Sequence, residues 1–388
     1  MKLVGFYHSL ISDWNHGNAH FLRGVAGELV ARGHEIRVFE AKDAWSVVNL
    51  VRDHGDGAIA AFHAAYPHLG NASHAGQLGR PVSERYEVEL DLDRALGGAD
   101  AVLVHEWTPP ELVARIGRHR ARGGRYALLF HDTHHRSVTA PAELARYDLS
   151  HYDGVLAFGG VIRDLYRTHG WAARAWTWHE AADTRVFGPR PAIVRDRDLV
   201  WIGNWGDGER SAELHAMVLE PALVLGLRTQ IYGVRYPEAA RRALAEAGIH
   251  HAGWLANFNV PEVFARHRVT VHVPRRPYTA SLPGIPTIRV FEALACGIPL
   301  ISTPWHDDEA LFTAGEDYLV AGDPDQMRRL LRAVVHDRAL AAELARHGRQ
   351  TILARHTCAH RVDELFAILA ELGVPAAGPS PKELPCPE

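Results

Sequence analysis

Short, wholly apolar runs recur along this chain at intervals that leave room for one helix between each pair. Leu3-Val4-Gly5-Phe6-Tyr7, Ala101-Val102-Leu103-Val104-His105, Tyr126-Ala127-Leu128-Leu129-Phe130 and Gly154-Val155-Leu156-Ala157-Phe158 read as strands buried on both faces. Such strands belong to parallel sheets covered by helices. In the first unit Phe21, Val25 and Leu29, spaced by four, give a helix its apolar stripe, Gly33 stops it, and residues 35–39 form the next strand. The rhythm restarts at Leu199-Val200-Trp201-Ile202 and again at Val269-Thr270-Val271-His272-Val273. Two such halves predict an α/β chain of two Rossmann-like, doubly wound domains facing across a cleft. The expected boundaries are 1–190, 191–355, a C-terminal helix over 356–373, and a disordered, proline-rich tail over 374–388.

Composition narrows the function. A net charge of −4 over 388 residues demands neither nucleic acid nor an anionic membrane as partner. Cys296, Cys358 and Cys386 stand far apart with no CxxC pair, so they read as reduced thiols of a cytoplasmic protein. No apolar run is long enough to span a bilayer, and the opening strand is too short for a signal peptide. The 26 histidines are not by themselves a metal signature.

Three stretches carry candidate chemistry. In residues 285–302, Thr287 is the expected N-cap of a short helix, Gly297 its stop, and Leu300-Ile301 the restart of a buried strand. Arg289 and Glu292 share one face of that helix, whose N-terminus offers free N–H groups to a phosphate; the alternative is an ordinary surface ion pair. Gly17 ends the first strand's loop, where a missing side chain allows close backbone approach, or simply a tight turn. His131-Asp132-Thr133-His134-His135 follows a buried strand, where doubly wound sheets put their sites. The spacing of its histidines fits no familiar metal-ligand pattern, so no metal is expected. Residues 53–85 are expected to be irregular or short helical pieces.

Several of these stretches, in the same order, resemble the GT-B glycosyltransferases of the group 1 kind, and within them the CgeB-like (spore-maturation-protein-like) branch. His16-Gly17-Asn18-Ala19 through Arg32-Gly33-His34-Glu35 resembles the family's glycine loop, helix and strand entry. Phe130-His131 resembles the strand end near the donor sugar. Ala182-Asp183-Thr184-Arg185-Val186-Phe187-Gly188-Pro189 is similar to the interdomain hinge. Gly203-Asn204 with Arg210 matches the spacing of the phosphate clamp, and Gly253-Trp254 the segment flanking the nucleobase. Phe291-Glu292-Ala293-Leu294-Ala295-Cys296-Gly297-Ile298-Pro299 is the most specific match. Asn204 stands where the family usually has arginine, His16 replaces the first of its paired glycines, and Gly284 stands where it has a second glutamate.

The resemblance implies transfer of a sugar from a nucleoside diphosphate sugar, with retention and without metal or cofactor. Arg210 and Arg289 would hold the diphosphate, Glu292 the ribose hydroxyls, Gly17, Asn204 and Trp254 other parts of the donor, and His131 the sugar. An inverting reaction would need a base, for which His20 and Asp132 are the candidates. The acceptor, whether glycan, lipid, protein or small molecule, would sit against residues 53–85 and 131–139. A nucleotide-sugar 2-epimerase of the same fold and a non-catalytic nucleotide-sugar binding protein are the rival readings.

Overall fold

The computed structural model describes residues 1–70, 82–87, 89–206 and 208–374. All but the first residue of the tail expected over 374–388, and part of the 53–85 region, lie outside these residues. Strands β1 (Lys2–Tyr7), β2 (Glu35–Ala41), β3 (Ser83–Tyr86), β4 (Ala101–His105), β5 (Ala127–Asp132), β6 (Gly154–Ala157) and β7 (Ala175–Thr177) build a seven-stranded sheet. Its order is β3-β2-β1-β4-β5-β6-β7. Strands β8 (Leu199–Ile202), β9 (Thr229–Tyr232), β10 (His250–His251), β11 (Val269–His272), β12 (Leu300–Ser302) and β13 (Leu319–Val320) form a six-stranded sheet in the order β10-β9-β8-β11-β12-β13. Every pairing between these strands is parallel. This is the doubly wound, two-domain GT-B fold.

Strand order reverses beside β1 in the first sheet and beside β8 in the second, so each sheet has a crevice at the carboxyl ends of those strands. The helix after β1, α1 (Ala19–Ala31), is buried along almost its whole length. The short helical pieces expected from residue 53 onward are present over 53–70, where the helices Trp45–His54, Gly57–Ala65 and Pro67–Gly70 bury Leu50, Phe62, Tyr66 and Leu69. The helical stretch from Ser211 to Val224 is interrupted by a wider turn at His215–Leu219, just before Pro221, which has no N–H to continue a regular ladder.

The helix of the 285–302 stretch, α2 (Ile288–Cys296), ends at Gly297 in the left-handed conformation (φ 65°), as expected of a glycine stop. The last helix, α3 (Cys358–Glu371), returns to the N-terminal domain and lies on α1. Trp178 Nε1 donates to the Arg361 carbonyl at 2.8 Å, Arg32 pairs with Asp363 at 2.5 Å, and Ala182 bridges to Thr357. One apolar cluster therefore runs from Phe21 and Trp178 through Phe187 to Phe291 and Leu294.

Gly24 marks the closest point of that packing. A Cβ there would fall 2.4 Å from Cys358 Sγ and 2.8 Å from Asp183 Cβ. We expect Gly24→Ala to lower stability by about 1–3 kcal/mol through overpacking, read by urea denaturation. A midpoint equal to that of the unsubstituted protein would contradict this packing.

Candidate functional site

Loops from the carboxyl ends of both sheets meet in one cleft. A narrower cavity of about 240 Å³ lies on the C-terminal side and a wider one of about 690 Å³ on the N-terminal side. They share Gly17, Asn204, Arg275, Tyr278 and Ile288 as walls.

On the narrower side three guanidiniums converge. Arg210 is packed against the Trp201 ring, 5.1 Å from its centroid. It donates to the Val273 carbonyl at 2.9 Å and to Asn204 Oδ1 at 2.8 Å, and its Nε has no partner. Burial first, and the neighbouring Arg275 second, push its pKa down to about 10. Asn204 Oδ1 also accepts from Arg275 at 3.0 Å, while its amide nitrogen donates across the cleft to Asn15 Oδ1 at 2.6 Å. The asparagine that replaces a cation therefore holds two cations side by side. Arg275 also pairs with Glu209 at 2.9 Å. The third guanidinium, Arg289, lines the same cavity from the first turn of α2 and pairs with Glu292.

Glu292 itself lies beneath the cavity wall, fully buried. Asn257 Nδ2 donates to it at 2.6 Å, and His20 Nδ1 lies 3.3 Å away. The Asp183 N–H donates to His20 Nε2 at 2.8 Å, so the ring proton belongs on Nδ1, facing the carboxylate. Burial raises the Glu292 pKa, but Arg289 and these hydrogen bonds outweigh it and hold the group below the usual carboxylate range.

Thr287 occupies the N-cap position but makes no capping hydrogen bond, a departure from the expected role. Its Oγ1 lies 3.0 Å from His272 Nε2, which ties the loop to β11. The end of α2 is met instead by Glu180, whose carboxyl lies beside the Ile288 N–H. Burial, then repulsion from Glu292, raise the Glu180 pKa to about 8, so this cleft-lining carboxyl carries a proton at neutral pH.

Asp13 joins the domains on the other flank. It accepts from Trp254 Nε1 at 2.9 Å and from the Asn257 N–H at 3.0 Å, and pairs with the buried Arg23 at 2.9 Å. Trp254 lines the narrower cavity, its ring 4.6 Å from that of His54. A Cβ on Gly17 would stand 3.3 Å from Ile288 Cγ2, so the glycine lets the first loop approach the end of α2.

The structure thus brings Gly17, Asn204, Arg210, Trp254 and Arg289 to one cavity, with Glu292 directly behind it. It sets His131 and Asp132 apart. His131 is buried against Trp178 and His105, and burial lowers its pKa to about 3. Asp132 accepts from the Tyr166 hydroxyl at 2.9 Å, and burial with the nearby Glu106 raises its pKa to about 8. The cleft is lined instead by the three residues that follow, Thr133, His134 and His135. Arg275, Glu180 and Asp13 were not singled out from sequence, although each lies in a loop that leaves a strand's carboxyl end, where ligand groups gather. Among the described residues no group of three or more His, Cys, Asp or Glu is arranged to hold a metal ion.

These groups give the stability a definite pH dependence. Burial lowers the pKa of His16 to about 4 and of His134 and His272 to about 3, against about 6.5 unfolded. Their stabilising contribution is complete above the unfolded value and is lost as pH falls from there towards the folded values. Glu180 runs the other way, its contribution complete below its unfolded pKa and lost as pH rises through about 8. Urea midpoints should fall as pH drops from about 6.5 to 4 on account of the histidines, and Glu180→Gln should remove the opposing loss that accumulates as pH rises from about 4.5 to about 8. A flat acid limb would contradict the buried neutral histidines.

No curated protein matches the sequence. Residues 210–367 match the family model described as "Glycosyl transferase-like". Among solved structures, the sucrose-phosphate synthase of Thermosynechococcus elongatus aligns at 15% identity and a TM-score of 0.62, over 96% of this chain and 100% of that one. HepE of Anabaena, solved with UDP and glucose, aligns at 12% and 0.63, over 96% and 100%. The T4 phage BGT, solved with its UDP-glucose substrate, aligns at 10% and 0.58, over 95% and 99%. At these identities the likeness is one of fold. Over nearly its full length this chain has the two-domain GT-B architecture, and its residues 210–367 are similar to the glycosyl transferase-like family.

Proposed function

We propose that this protein is a glycosyltransferase that moves a sugar, of hexose type, from a nucleoside diphosphate sugar to an acceptor hydroxyl, with retention and without a metal ion. The observation that carries the reading is the convergence of Arg210, Arg275 and Arg289 at the N-terminus of α2, an end left without a side-chain cap from its own N-cap residue. Cleavage of the sugar–phosphate bond leaves charge on the diphosphate, and fixed guanidiniums with oriented N–H groups stabilise it as it develops. UDP-sugars are the first donors to test, since HepE and the T4 phage BGT were solved with UDP-glucose.

Glu292 deepens the donor side. When Arg289 turns to a phosphate, the Glu292 oxygen it occupies becomes available to a ribose diol, with Asn257 still holding the other. Trp254 offers a flat edge of the cavity to the base. Retention needs no base from the chain, because the leaving phosphate can take the acceptor proton. Neither candidate base for inversion lines the cleft, since His20 is bound to Asp183 and Glu292 and Asp132 to Tyr166. The CgeB-like branch and a cytoplasmic location belong to the same proposal. Among the described residues no helix is long and apolar enough to cross a membrane.

A turnover screen over UDP-sugars tests this reading. Arg275→Ala and Arg289→Ala should each lower kcat/KM by about 10- to 100-fold, the scale of one charge-assisted hydrogen bond to the leaving group. Gly17→Val should do the same by crowding Ile288, with the fold intact by circular dichroism. Interconversion of donor sugars without acceptor would instead identify an epimerase, and tight nucleotide binding without turnover a binding protein.

A further inference from the structure

The wider cavity differs in chemistry from its cationic neighbour. Three tryptophans follow one another along its N-terminal wall: Trp14 and Trp45 at 6.4 Å between ring centroids, Trp45 and Trp107 at 6.1 Å. His134 continues the wall 5.4 Å beyond Trp107. The Arg136 guanidinium lies over Trp107, 4.2 Å from its centroid, so that cation is spent on the ring and on Glu106.

Between these rings stand polar atoms without partners. Both amide atoms of Asn18, His16 Nε2 and His134 Nδ1 are buried in the wall and make no hydrogen bond. Unsatisfied groups of this kind call for an occupant. The occupant must offer both donors and acceptors, since Asn18 alone presents one of each. Burial keeps His16 and His134 neutral above about pH 4, and Glu180 keeps its proton at neutral pH. The guanidiniums that reach this cavity, Arg235 and Arg275, come from the opposite domain, and Arg275 also walls the narrower cavity. A charged acceptor group against the N-terminal wall would lose its water with no counter-charge there.

We propose that the wider cavity is an acceptor subsite for an uncharged carbohydrate, a sugar or glycoside that lays an apolar ring face on the tryptophans and gives its hydroxyls to Asn18, His16 and His134. This rests on the glycosyl-transfer reading above. A purely aromatic or acyl acceptor would fit the rings but leave the amide and imidazole atoms unpaired. Transfer then forms a bond from an acceptor hydroxyl oxygen to the anomeric carbon. The bond from that carbon to the diphosphate oxygen breaks with its electron pair, and the hydroxyl proton passes to the departing diphosphate. Tyr278 and Ile288, which wall both cavities, mark where acceptor and donor meet.

Calorimetric titration of the full chain, with and without UDP, tests this with maltose, cellobiose and lactose as neutral probes, glucose 6-phosphate as an anionic one and 4-nitrophenol as an aromatic one. At least one neutral disaccharide should bind more tightly than the other two classes. Trp107→Ala should weaken it by about 10-fold, and Trp107→Phe should restore most of the loss, as expected for a ring-stacking contact. UDP affinity should stay within about twofold in both variants, because Trp107 lines only the wider cavity. Should Trp107→Ala misfold, Asn18→Ala should weaken the same disaccharide by about 5-fold, the cost of one or two neutral hydrogen bonds. Binding of no neutral disaccharide, tighter binding of glucose 6-phosphate or 4-nitrophenol, or unchanged sugar affinity in folded variants would overturn the proposal. Failure to bind UDP would count against the donor reading alone, since the sugar titrations without UDP report on the acceptor wall by themselves.

Discussion

The Glu292 carboxylate is a full charge removed from water, and the site is arranged around the requirement that it be paired. A buried carboxylate left alone would take up a proton or unfold its surroundings. Here His20 approaches from α1, Asn257 from the loop after β10, and Arg289 from the turn above it on α2. These partners belong to both domains, so satisfying one charge fixes how α1 sits against α2. It also fixes where Arg289 stands, in the first turn of α2 at the helix end that faces the cleft. Asp13 repeats the device on the other flank, holding Arg23 on its own side and Trp254 and Asn257 on the other.

From this frame the cleft acquires two unlike halves. Backbone carbonyls and the Asn204 amide hold Arg210 and Arg275 together despite their mutual repulsion, at a cost visible in the lowered pKa of Arg210. Such a cluster is poised for an anion. The other half carries tryptophan rings and histidines kept neutral by burial, which suits a ligand without charge. Glu180 stands between the halves, its carboxyl beside the Ile288 N–H at the start of α2. One chain thereby sets a cationic surface and an uncharged aromatic one side by side, with Gly17, Tyr278 and Ile288 common to both.

Much of the fold was legible because apolar strands bounded by glycine have few alternatives. The expected strand at 101–105 matches β4 residue for residue, and Gly297 stops α2 as a glycine after an apolar helix should. The short β3 and β13 were not legible, since strands of a few half-exposed residues carry no period. For the site, sequence pattern located the loops better than the side chains. His131 and Asp132 end a strand that is buried on both faces, so each of the two alternate sides turns its residue into the protein interior, where Trp178 and Tyr166 meet them. Thr287 had the right position for a cap, yet His272, more than a dozen residues earlier in sequence, takes its hydroxyl. Asn204 read as a missing charge. Only the folded chain shows that Arg275, from a different strand end, lies against it.

The most direct test is a crystal structure of the protein with UDP. The account predicts a diphosphate seated at the N-terminus of α2, with oxygens within hydrogen-bonding distance of Arg275 and Arg289, and a ribose whose hydroxyls reach Glu292. A diphosphate bound elsewhere, or one in this cleft with Arg289 still paired to Glu292 and turned away from it, would contradict the account.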